Sequence, residues 1–191
     1  MKTKKLSKES KISEEAYWTQ RYQKALTGWD VGAATPPISE YADQLKDKSL
    51  RILIPGAGNA YEAEYLHKRG FSNVHVLDVS EIPLENFKQR NPSFPEAHIH
   101  HQNFFKHKGT YDLIIEQTFF CSFEPDQMTR VKYATKMASL LAPTGKLVGV
   151  LFKESATKEN EGRPYGATET EYRRYLKPYF NIQVLESAYN S

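Results

Sequence analysis

Cysteine is nearly absent from this chain. Cys121 stands alone among 191 residues, which excludes an internal disulfide and fits a reducing compartment. Long hydrophobic runs are missing too. Nothing approaches the roughly twenty apolar residues of a membrane-spanning helix, and the N-terminus lacks the apolar stretch of a secretory signal. A soluble, cytoplasmic protein with no membrane partner is expected. An excess of one charge is also lacking. There are 26 Lys and Arg against 23 Asp and Glu, a net charge of +3, and Lys2, Lys4, Lys5, Lys8 and Lys11 crowd the first eleven positions. Beyond that tail no basic stripe remains to follow a phosphate backbone, so no nucleic-acid partner is expected. Residues 1–13 read as a disordered, solvated basic tail.

What is present is an alternation of short apolar runs with helix-forming segments. The length predicts a single domain over 14–191, with lid and helices in 14–45 and a core in 50–191. Glu14–Leu26 looks helical, TGWDVGAATPP (27–37) reads as a loop, and a helix follows at 38–45. Strands are expected at 52–55, 74–78, 97–101, 111–116 and 146–152, and helices at 60–69, 82–90 and 126–141. Gly70 stops the first of those helices and Pro143-Thr144-Gly145 the last. The polar stretch KESATKENEGRPYGATETEY, after Phe152, reads as an active-site loop leading to a helix near 168–177 and a strand near 180–186. Buried strands between helices imply an α/β fold: a Rossmann-like, doubly wound, mostly parallel sheet with helices on both faces and an N-terminal helical lid.

In such a sheet, ligands sit beyond the C-terminal strand ends. The first strand ends in ILIPGAGNAYEAEYL (52–66), where Gly56-Ala57-Gly58 forms a turn before a helix, although the third glycine of a dinucleotide fingerprint is missing. VHVLDVS ends at Asp78, about 20 residues beyond the glycine turn, where a carboxylate accepts ribose hydroxyls. The third strand ends at Gln102-Asn103-Phe104 and the fourth at Glu116-Gln117-Thr118. Each has an ordinary reading, as turn, helix cap or core residue. Their joint placement on successive strand ends favours a nucleoside-bearing cofactor.

LIPGAGNAYEA, VLDVSE and YDLIIEQTFFCSFEP, together with TGWDVGAATPPI, LLAPTGKLV and GRPYGATETEY, resemble the class I S-adenosylmethionine-dependent methyltransferases. Within them the chain is similar to the thiopurine methyltransferase-like family, particularly its thiol and halide methyltransferase branch, from about Trp18 to Tyr172. The resemblance implies S-adenosyl-L-methionine as cofactor, S-adenosyl-L-homocysteine as product, and a small nucleophile, either a thiol or bisulfide or a halide ion. Alternatives are a thiopurine-type aromatic thiol and a cofactor-binding module without chemistry. It also implies that Trp18, Tyr22 and Trp29 close over the cofactor, that Gly56 and Gly58 allow close backbone approach, and that Asp78 takes the ribose. Asn103 and Phe104 match adenine contacts. Gln117 stands where relatives carry arginine or tyrosine, facing cofactor or substrate. Tyr165 matches a substrate-side tyrosine. Arg163, where relatives usually carry proline or alanine, attracts an anionic nucleophile, holds the cofactor carboxylate or is an exposed loop arginine.

Three other features have less to offer. In HIHHQ, His98 and His100 share a strand face while His101 points away, so no metal site is expected. Direct transfer needs no covalent intermediate, and Cys121 reads as core. Phe119, Phe120 and Phe123 offer an apolar wall, with at least one of them in the core. The Asn/Asp-Pro-Pro-aromatic tetrapeptide of many nucleic-acid amino methyltransferases is absent, which favours a small-molecule acceptor; a monomer is expected. The class normally ends in an antiparallel hairpin whose seventh strand enters between the fifth and sixth. Here that strand is either absent or occupied by NIQVLESAY (181–189).

Overall fold

Residues 12–153 and 162–190 are described in a computed structural model of the chain. Eleven elements set the frame: α1 (Glu14–Gln23), α2 (Pro36–Gln44), β1 (Ile52–Pro55), α3 (Tyr61–Lys68), β2 (Val74–Asp78), α4 (Glu81–Arg90), β3 (Ile99–His101), β4 (Tyr111–Gln117), α5 (Gln127–Ser139), β5 (Leu141–Val150) and α6 (Glu169–Leu176). The strands form one parallel sheet in the order β3-β2-β1-β4-β5. Strand order therefore reverses between β1 and β4, the place where an open α/β sheet offers a crevice.

Side-chain alternation explains why both sheet faces are apolar. Ile52, Ile54, Val74, Val76, Leu113 and Ile115 point into a core shared with Ile38, Leu66 and Leu84. Leu53, Leu77 and Ile114 point the other way, against Tyr133, Met137, Tyr172 and Leu176 of α5 and α6. Each fully buried aliphatic side chain stabilises this arrangement by about 1.5–3 kcal/mol. No helix among the described residues is long and apolar enough to cross a membrane.

Several element boundaries differ from the sequence reading, each for a local reason. The first helix stops at Gln23 instead of Leu26, because Ala25 adopts φ +50. Ala25 N–H then bonds Tyr22 O and Leu26 N–H bonds Arg21 O, which is a Schellman ending without its usual glycine. Helix α2 begins at Pro36, since prolines need no partner for a missing N–H in a first turn. At β3, residues 96–98 coil into a 3-10 turn and shorten the strand. Pro143-Thr144-Gly145 lies within β5 and is no helix stop: Tyr111 pairs with Leu141 and Leu113 with Lys146, so the segment is accommodated in a bulge. The strand expected near 180–186 is absent. Residues 181–188 carry no regular structure, and Ile182 and Leu185 pack on the α5–α6 core while Val184 is exposed. Residues 1–11 of the basic tail and 154–161 of the polar loop lie outside the described residues.

Candidate active site

A cavity of about 770 Å³ opens over the C-terminal ends of β1, β2 and β4 and under α1 and the loop that follows it. At its floor the chain turns tightly after β1. Gly56 has φ +62, and a Cβ there would sit 2.0 Å from Cδ2 of Phe119. Gly58 has φ +53, and its added Cβ would meet the Tyr22 hydroxyl at 2.8 Å. Only glycine fits both positions. The turn also delivers the Gly58 N–H to Asp78 Oδ2 at 2.9 Å, while Ser80 N–H reaches Oδ1 at 2.8 Å. Asp78 is therefore a fixed, buried acceptor at the end of β2. Burial pushes its carboxyl pKa up, and those backbone N–H groups oppose the shift.

Beyond β3, Asn103 caps a short 3-10 turn by accepting the Phe105 N–H on Oδ1 at 2.9 Å. The Asn103 side-chain carbonyl is thus already engaged, which leaves one lone pair and the Nδ2 hydrogens for a ligand. Phe104 lines the cavity and is also core, with Phe119 edge-on at 5.2 Å. Phe119 and Phe123 line the cavity whereas Phe120 is wholly buried. Cys121 borders the cavity and donates its thiol to Thr118 O at 2.8 Å. Burial and nearby Glu116 push that thiol up to about 12, so it stays protonated.

The roof is aromatic. Trp18 meets Trp29 edge-on at 5.4 Å, and Tyr22 meets Trp29 at 6.0 Å. Burial, then Asp78, raises the Tyr22 pKa, which keeps the hydroxyl neutral. Thr19 and Ser80 hydroxyls, 3.0 Å apart, tie α1 to the end of β2. Asp30 holds the following loop by accepting from the Asn59 side chain and from Gly32 N–H.

Arg163 is a cavity wall residue and no exposed loop arginine. Its side chain is 11% accessible. It donates to Ser122 O and to Glu14 Oε1, both at 2.6 Å, and lies 4.4 Å over the Tyr17 ring. Tyr165 is placed differently from the expectation: it does not line the cavity, and its hydroxyl bonds Glu124, which does. Gln117 lines the cavity and accepts the Thr35 hydroxyl at 3.2 Å. The sequence reading singled out none of Glu14, Asp30, Thr35, Glu62 or Glu124. Four of them lie inside segments quoted above, but nothing local in those segments marks their part in the site, since their meeting depends on how α1 and its loop fold back.

The histidines gather elsewhere. His98 stacks on His75 at 4.0 Å, His100 Nε2 lies 3.0 Å from His75 Nδ1, and His107 Nε2 lies 2.8 Å from Tyr111 Oη. His101 turns to Val79 O. No group of three or more His, Cys, Asp or Glu among the described residues has the arrangement to hold a metal.

A fixed carboxylate acceptor, a glycine cradle with no room for Cβ and an aromatic roof suit a nucleoside carrying a flexible polar arm. Set at the switch point of a 3-2-1-4-5 parallel sheet, they define the Rossmann-like class of S-adenosylmethionine-dependent methyltransferases. The fold agrees with that of Burkholderia thailandensis 1,6-didemethyltoxoflavin-N1-methyltransferase, solved with S-adenosylhomocysteine, at a TM-score of 0.69 and 18% identity over 86% of this chain and 75% of that one. More particularly, the chain belongs to the thiopurine S-methyltransferase family, whose model matches residues 13–190. It is an S-adenosylmethionine-dependent enzyme of that family. "Probable thiol methyltransferase 2" of Arabidopsis thaliana is 30% identical over 84% of this chain and 71% of its own length. "Thiocyanate methyltransferase 1" of Brassica oleracea is 28% identical over 93% and 79%.

Proposed function

We propose that this protein methylates a small sulfur nucleophile, a thiol or bisulfide, with thiocyanate and halide ions as related acceptors. The observation that carries the reading is the acceptor end of the cavity: Phe119 and Phe123 form an apolar wall beside Arg163. A soft anion desolvates readily against such a wall and keeps one cation in reach. S-adenosylmethionine, when bound, supplies an already activated methyl group, so the chain's task is to position, dehydrate and deprotonate the acceptor.

The residues divide accordingly. Gly56 and Gly58 admit the cofactor close to the backbone, Asp78 takes the ribose, and Asn103 and Phe104 border the adenine. Trp18, Tyr22 and Trp29 cover it and exclude water, with Gln117 at the β4 side. Arg163 attracts the acceptor, its charge partly offset by Glu14. Tyr165 acts from the rim through Glu124, whose carboxylate is the proton acceptor for a thiol. Residues 14–191 work as one domain and as a monomer in the cytoplasm, on a small molecule and not on nucleic acid. The test is S-adenosylhomocysteine formation with bisulfide, thiocyanate, iodide, aliphatic and aromatic thiols and a thiopurine. Turnover of the small sulfur nucleophiles is expected. Turnover confined to the thiopurine would replace this reading by the aromatic-thiol one, and no turnover with any acceptor would refute both.

A further inference from the structure

Across the cavity from Asp78, three polar side chains from three elements are linked. Glu62, in the first turn of α3, is only 7% exposed and borders the cavity. It accepts the Thr35 N–H at 3.3 Å, and the Thr35 hydroxyl donates to Gln117 Oε1 at 3.2 Å. Thr35 caps α2 and Gln117 ends β4. No Lys, Arg or His pairs with Glu62 among the described residues. Burial pushes its carboxyl above the ordinary range. A buried carboxylate without a cation is costly, and a ligand cation at this place relieves the cost. With Oε1 of Gln117 already accepting, its Nε2 hydrogens are the donors that remain.

The two ends of the cavity lie on opposite flanks of β1, because β2 is its neighbour on one side and β4 on the other. A nucleoside held at Asp78 therefore extends its remaining atoms over the Gly56–Gly58 turn toward β4. We infer that Glu62 binds the α-ammonium of the cofactor's amino-acid arm and Gln117 Nε2 its carboxylate, with Thr35 fixing both side chains. This assignment rests on the cofactor placement proposed above and adds recognition of the zwitterionic end.

Calorimetry on the full chain separates the two ends of the ligand. S-adenosylhomocysteine carries the amino-acid arm and 5′-methylthioadenosine lacks it. Glu62→Gln keeps the shape and the Thr35 acceptor while removing the charge. It is expected to weaken S-adenosylhomocysteine by about tenfold or more and to leave 5′-methylthioadenosine within about twofold. Equal losses for both ligands, or an unchanged S-adenosylhomocysteine affinity, overturn the assignment. A second measurement needs no variant. An S-adenosylhomocysteine analogue with hydrogen in place of the α-amino group is expected to bind the native chain about tenfold more weakly, and equal affinity overturns the assignment. A native chain that binds 5′-methylthioadenosine yet shows no preference for the amino-acid arm sinks this inference alone. One that binds neither ligand sinks the cofactor placement with it.

Discussion

Asp78 and Gly56 carry the sharpest expectations for single residues. Replacing Asp78 by Ala removes a charged acceptor, and each such bond contributes about 1.5–3 kcal/mol. Cofactor affinity measured by calorimetry should fall accordingly, and an unchanged value would move the ribose elsewhere. Gly56→Ala places a methyl 2.0 Å from the Phe119 ring at φ +62, an overpacking that costs about 1–3 kcal/mol. Gly28→Ala meets nothing within 4 Å and is expected to stay within about 0.5 kcal/mol of the native chain. Urea unfolding of the two variants checks the contrast. Tyr165→Phe removes the hydroxyl that bonds Glu124. Iodide carries no proton, so turnover of a thiol should fall while that of iodide and the cofactor affinity hold. Equal rates with native enzyme would reduce the ring to packing.

At the level of elements, the legible parts of the sequence were those with two buried faces. ILIP, VHVLD and YDLIIEQ read as strands because every second residue feeds a different core, and Gly70 ends α3 with φ +86. Turn chemistry hid the rest. Ala25 closes α1 where a glycine would have announced the end, and Pro143 sits in a bulge of β5 that only the pairing with β4 reveals. Ile182 and Leu185, three residues apart, would fall on opposite faces of a strand and instead pack together on the α5–α6 core. The strand ends bordering the cavity stood out by their glycines and Asp78, whereas the contact of Glu62 with Thr35, 27 residues apart, has no local sequence signal. Helix α1 and its loop are tied to the rest of the site through polar side chains at Thr19, Asp30 and Thr35 and through the Arg163 contacts. Cofactor should therefore order residues 14–37, seen as slower hydrogen exchange and altered tryptophan fluorescence. Unchanged exchange in that segment on cofactor binding would refute a lid.

For the molecule as a whole, the histidine cluster sets the response to acid. Folding lowers His75 from 6.5 to about 3 and His107 from 6.5 to about 4, mainly through burial, and lowers His98 and His100 as well. Groups with a depressed folded pKa bind more protons when unfolded, so their stability is present above pH 6.5 and is lost as pH falls toward 3. Glu116, raised from 4.5 to about 7 by burial, works the other way, its contribution fading as pH rises through that window. Glu62 and Asp78 are also raised. His75 and His107, with the deepest imidazole shifts, lose stability on acidification while Glu116 gains it, which leaves a net loss. The melting temperature should drop between pH 7 and pH 5, and His75→Phe should flatten that slope; a flat native profile would contradict it. One further consequence follows from the contact of Glu14 with Arg163, which joins positions 149 residues apart. A ribosome makes α1 early, yet its anchors at Ser80 and Arg163 emerge much later. The Ser80 anchor is made before β3, β4 and β5 but the Arg163 anchor only after them, so the cavity wall at Arg163 closes only once all five strands of the sheet have left the exit tunnel.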